Sequence, residues 1–235
     1  MSSRELYFIS GSPPCWSVML ALAVKGLGYT RRRLSTSAGD QKTPEYRKIN
    51  PRGHVPVLVD DDTVVTETLA VLSYIDAIHP EPPMFGRTPM ETARVWQTIS
   101  ECDGHFRGPV GEISRPLFRN KVAEFEDQID SAAAKVHDEL VVLNERLSAS
   151  EWLAGAKVSA ADLIVFPVLM QLTRAAGQEN AAALDLAITP LDAHYPMLAA
   201  WQGRMSALPG FETAYPPHWK PQAPNPDKPA KEADA

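Results

Sequence analysis

Ser12-Pro13-Pro14-Cys15 places a hydroxyl and a thiol three residues apart, where a helical pattern begins. A helix N-terminus is a ready anion site, and it lowers the pKa of a thiol beside it. The pair therefore offers a hydrogen-bond donor for an anion, a candidate nucleophile, or both. A structural use competes with this: Ser12 as a helix cap and Cys15 as a small core residue.

The flanking elements fix the pair in space. Leu6-Tyr7-Phe8-Ile9 is short, apolar and rich in aromatic and branched residues, the pattern of a buried strand, and Ser10-Gly11 ends it. From Trp16 to Lys25 strong helix formers dominate, and Gly26-Leu27-Gly28 stops the helix. The two prolines suit the first helical positions, where a missing N–H costs nothing. Tyr29 to Leu34 reads as a second strand, with Arg31-Arg32-Arg33 as a solvated edge. Residues 35–42 are loop-like, and 44–47 form a short helix before Asn50-Pro51-Arg52-Gly53. Val55 to Val59 and Val64 to Thr66 are a hairpin about Asp60-Asp61-Asp62. A helix from Glu67 ends at His79-Pro80, and residues 80–89 are a breaker-rich linker. Residues 1–82 thus make a complete α/β domain.

Beyond residue 90 strand patterns vanish. Helical segments are expected over 92–106, over 122–147, after Ser159-Ala160-Ala161-Asp162, and after Tyr195-Pro196, with a break or kink between Gly108 and Pro116. Ser159 and Asp162 have the spacing of a reciprocal cap. The helix behind them is apolar nearly all round, hence central, and Pro167 bends it. The second domain is an all-helical bundle over 90–215. Residues 216–235 contain six prolines and no apolar pattern, and are expected to be disordered.

The 235 residues carry a net charge of −6, which argues against a nucleic-acid surface. Two cysteines make no disulfide framework. No apolar stretch spans a membrane and no signal peptide opens the chain, so a cytoplasmic location is expected. Cys102-Asp103-Gly104-His105 offers too few ligands for a metal site, and no metal is expected.

The motif set resembles the cytosolic glutathione transferases over residues 4–215. It comprises the Ser12 loop, Asn50-Pro51-Arg52-Gly53-His54-Val55-Pro56, Thr66-Glu67-Thr68 and the Ser159–Asp162 box. The resemblance implies a thioredoxin-like N-terminal domain, an all-helical C-terminal domain, glutathione as co-substrate and a homodimer. It implies a cis peptide before Pro56, with the Val55 backbone pairing with the cysteinyl part of glutathione. Glu67 and Thr68 would hold the γ-glutamyl end. Gln41, Lys42 and His54 would hold the glycyl carboxylate; His54 departs from the family's usual glutamine or lysine and would hold it best when protonated. Asp103 would reach the γ-glutamyl ammonium of a neighbouring subunit.

Ser12 aligns with the family's activating hydroxyl. Lowering a thiol pKa by about two units takes about 2.7 kcal/mol. One charge-assisted hydrogen bond of about 1.5–3 kcal/mol plus a helix N-terminus supplies that. Dithiol exchange would need cysteine at position 12, so Cys15 is left with a mixed disulfide or a core role. The electrophile pocket is expected between residues 11–14 and the helices near 99–119, covered near Trp219. Arg107, Arg115, Arg119 and Arg174 are candidates for an anionic substrate. Helix 16–22 resembles the zeta class loosely, and the loop before His54 the phi type. A glutathione-dependent isomerase of the maleylacetoacetate type, a dehalogenase or an ether-cleaving enzyme would share the apparatus. A non-catalytic binding module is the alternative of another class.

Overall fold

The computed structural model describes residues 3–220. Strand β1 (Arg4–Phe8) is central, pairing in parallel with β2 (Thr30–Arg33) and antiparallel with β3 (Val57–Asp60). Strand β4 (Thr63–Thr66) completes the sheet in the order β2-β1-β3-β4. Alternate β1 residues Leu6 and Phe8 are buried, as one covered sheet face requires. Helices α1 (Pro13–Val24) and α3 (Thr68–Ile78) pack together, while the short α2 (Pro44–Ile49) precedes β3. The arginines of β2 are exposed at the sheet edge, but Arg31 is tied down: it lies over the Phe8 ring and donates to the Thr213 carbonyl at 2.7 Å.

In the helical half, α4 (Pro89–Glu101) starts at a capping box between Thr88 and Glu91. It continues through a π-helical turn, Cys102–Phe106, into α5 (Arg107–Phe118). The break expected between Gly108 and Pro116 is absent. The segment is helical because Val110, Ile113 and Leu117 bury one face against α6 (Glu126–Ala149) and α7 (Ala160–Ala176). Tertiary packing outweighs the local cost of its proline and glycines. The helix expected over 122–147 is split, with a 3-10 turn at Val122–Glu124 ahead of α6.

Helix α7 is the central post. Ser159 donates its N–H and its hydroxyl to Asp162 Oδ2, both at 2.9 Å, so the expected box is formed. Oδ1 accepts from Leu153 N–H and from the Trp201 indole, also at 2.9 Å. Asp162 is fully buried; burial raises its carboxyl pKa against the four donors that lower it.

The halves meet where Trp16 of α1 packs edge-on against Phe166 of α7, ring centroids 5.2 Å apart. A second joint lies at the linker. The buried Lys25 ammonium donates to Asp76 Oδ1 at 2.6 Å and to the carbonyls of His79 and Pro82 at 2.5 Å. Asp76 also accepts the Met84 N–H at 2.8 Å.

After α8 (Leu191–His194) and α9 (Pro196–Ser206), α10 (Phe211–Ala214) leads into a 3-10 turn at Pro217–Trp219. The disorder expected from residue 216 is therefore corrected for 216–220, where buried Pro216 and half-buried Trp219 pack on the fold. The remainder of that tail, 221–235, lies outside the described residues. Among the described residues no helix is long and apolar enough to cross a membrane.

Candidate functional site

A cleft of about 370 Å³ opens between the start of α1, the loop before β3 and the start of α3. Ile9 and Pro14 line one side, Asn50, Gly53, His54, Val55 and Pro56 the floor, and Glu67 and Thr68 the far end. Five of the residues singled out from the sequence, His54, Val55, Pro56, Glu67 and Thr68, thus come together.

Local chemistry builds the floor. Thr43 caps α2 by accepting the Tyr46 N–H, and Pro44 occupies an opening position where no N–H is needed. After α2, Gly53 turns the chain at φ 66°, with its Cα against the Gln41 carbonyl. A Cβ there would stand 2.7 Å from that oxygen, so only glycine fits. The Val55–Pro56 peptide is cis. At the far end Glu67 precedes α3 with φ 67°, and its exposed carboxylate lies 3.5 Å from Arg52. Thr68 opens α3, so the helix N-terminus faces the cleft.

The other candidate residues stand apart from this lining. Gln41 and Lys42 form a 3-10 turn behind Gly53, and Gln41 Oε1 is buried without a hydrogen-bond partner. Asp103, on the π-helical turn, pairs with Arg107 at 2.8 Å. Ser12 is the residue before α1, but its side chain makes no capping bond, contrary to the structural use considered for it. It borders a small void shared with Cys15, Trp16 and Pro216.

Of the two uses left open for Cys15, the structure shows the core one. Its side chain points into the core, and burial pushes its pKa up to about 11, against hydrogen bonding from Ser12 and the Ile9 backbone. Desolvation of the thiolate outweighs the helix N-terminus. Cys102 is likewise buried, its pKa raised to about 12.

The C-terminal turn covers the loop that carries Ser12. A Cβ on Gly11 would meet His218 and Trp219 side-chain atoms at 3.1 Å, and Ser10 Oγ lies 3.3 Å from His218 Nδ1. Trp219 packs edge-on against Trp16 at 5.3 Å, and the Arg174 guanidinium sits 3.8 Å from its ring centre and 5.3 Å from that of Phe118. Burial and the charges of Arg174 and Arg33 lower the His218 pKa.

Sequence reasoning missed Tyr46 and Asn50, which hold the His54 carbonyl from below, and His218. Tyr46 lies on α2 and Asn50 is the extended residue that ends it, so the two are close in the chain to the carbonyl they hold. His218 is not close to its partners, which are more than two hundred residues away in the chain.

A four-stranded sheet with α1 at its central strand, a cis-proline loop beside that helix and an appended helical bundle define the class: a thioredoxin-like domain with an all-helical partner. Residues 6–83 match the family profile described as glutathione S-transferase, N-terminal domain, and 109–209 that described as glutathione S-transferase, C-terminal domain. The chain is 27% identical over 223 residues to Glutathione S-transferase Z1 of Arabidopsis thaliana, covering 94% of this chain and 95% of that protein. It is 27% identical to a probable maleylacetoacetate isomerase of Caenorhabditis elegans, covering 92% and 95%. A glutathione S-transferase structure from the Antarctic clam Laternula elliptica superposes with a TM-score of 0.78 at 28% identity, covering 94% and 95%. The chain belongs to the glutathione transferase family, whose enzymes use glutathione as co-substrate.

Proposed function

We propose that the 370 Å³ cleft is the glutathione site of this chain and that Ser12 activates the bound thiol. The observation that carries this reading is the meeting of His54-Val55-Pro56 with Glu67-Thr68 in one cleft, beside the start of α1. The residues fit such a ligand: a peptide-like backbone can pair with Val55, and a carboxylate is favoured at the α3 N-terminus. At the glycyl carboxylate the Gln41 amide NH2, the Lys42 ammonium and a His54 ring N–H would be the donors. Glu67 would accept the γ-glutamyl ammonium, and Asp103 of a second subunit would add charge there in a homodimer. Small electrophiles and a cytoplasmic location complete the reading.

When bound, glutathione supplies a thiolate nucleophile. Ser12 would donate its hydroxyl hydrogen bond to the sulfur and need not itself lose a proton, while Cys15, kept protonated by burial, takes no nucleophilic part. The test is the thiolate ultraviolet difference spectrum across pH, wild type beside Ser12→Ala. The wild type should show a band titrating below the free thiol, and the alanine variant a midpoint higher by about one to two units. An unchanged midpoint would remove Ser12 from the role.

A second reading, glutathione-dependent isomerisation of an anionic substrate, is favoured by Arg174. It is half-buried between two rings, and no carboxylate pairs with it among the described residues. Preference for anionic over neutral electrophiles would distinguish it.

A further inference from the structure

We infer that Tyr46 and Asn50 are positioning residues for glutathione recognition: together they pin the His54 carbonyl and thereby aim the Val55 N–H into the cleft. The inference rests on the glutathione reading above. Tyr46 Oη donates to the His54 oxygen at 2.7 Å and Asn50 Nδ2 donates to the same oxygen at 2.8 Å. That oxygen and the Val55 N–H belong to one peptide unit. The unit is planar, and across its trans bond the C=O and N–H point to opposite sides. Two donors, one on α2 and one on the residue that ends it, therefore fix the direction of the N–H, which has no acceptor among the described residues.

Each donor is itself held in place. Asn50 Oδ1 accepts the Arg52 N–H at 3.1 Å, which leaves only the Nδ2 end of the amide to face His54. The Tyr46 ring is 4% exposed and rests near Tyr7, centroids 5.8 Å apart, while the Thr43 hydroxyl that accepts its N–H donates in turn to the Asp40 carbonyl at 2.9 Å. Burial raises the phenol's pKa, so it remains a donor across the working range. A carbonyl that accepts two hydrogen bonds also polarises its amide and makes the N–H a stronger donor. Orientation and donor strength at Val55 thus both depend on side chains that line the underside of the loop.

Tyr46→Phe removes one donor and keeps the ring. Glutathione Kd by calorimetry and KM should rise about fivefold, the effect of one hydrogen bond, while kcat at saturating glutathione stays unchanged. In the glutathione-free protein the Val55 amide proton should move upfield. Tyr46→Leu, which also loses the ring, should lower the melting temperature as well, separating packing from positioning. Wild-type Kd in Tyr46→Phe, or a fall in kcat with KM unchanged, would overturn the inference. A wild type that binds no glutathione would overturn the functional reading, and an unshifted Val55 amide would then also refute the pinning.

Discussion

Around His54 the polar groups that shape the cleft floor come from a single stretch between Thr43 and Pro56. Around Trp16 the rings come from positions 166, 211, 215 and 219. One region is a short loop folded on its own hydrogen bonds. The other is a convergence of distant segments that carries shape rather than direction. On the proposed reading this divides two tasks: the peptide-like co-substrate would meet oriented backbone, and the second substrate a wall that a change in the C-terminal turn would remodel.

Three perturbations would break or sharpen this contrast. The largest effect is expected from Asp162→Ala, which strands four buried donors around α7. Loss of about 3–5 kcal/mol, seen as a lower urea midpoint, follows from removing a buried charged acceptor. An intact midpoint would mean that apolar packing alone holds the aromatic side. Trp219→Ala should cost less, about 1–2 kcal/mol, because the ring is half-buried and its contacts are Trp16, Tyr215 and the Arg174 cation. Its kinetic signature is several-fold movement of the electrophile KM with the glutathione KM left in place. Equal movement of both would erase the division of labour.

The smallest effect is one of pH. His218 has its pKa lowered on folding, so the unfolded or undocked turn binds more protons than the docked one. Docking is therefore fully favoured above the ordinary imidazole pKa of about 6.5 and weakens as pH falls below it. Tryptophan fluorescence between pH 5 and 8 (roughly one unit or more either side of that pKa) should report a transition that His218→Gln abolishes. A transition that persists in the variant would belong to another group.

Legibility in the sequence followed the same division. The Ser12 loop, the hairpin, the residues before Pro56 and the Ser159–Asp162 box rest on neighbours within a few positions, so their residue types announce them. The continuity of α5 was not visible. Gly108, Gly111 and Pro116 signal a break, and only the buried face between α6 and α7 overrules them. For Cys15 the helix N-terminus and the thiol are evident in the chain, but the desolvation that decides between its two uses is not. The turn at 217–219 has no periodicity to read, since Trp219 gains its order from Trp16 and Arg174.

The Lys25 clasp bears on how the chain leaves its first half. Its ammonium ties the end of α1 to the end of α3 and to the first residues of a segment whose prolines read as a loose hinge. Swinging the halves apart would break the Trp16–Phe166 core contact, whereas the Lys25–Asp76 ion pair lies within the first half and would be kept. The loop that carries Ser12 is covered from the other half, by the turn bearing His218 and Trp219.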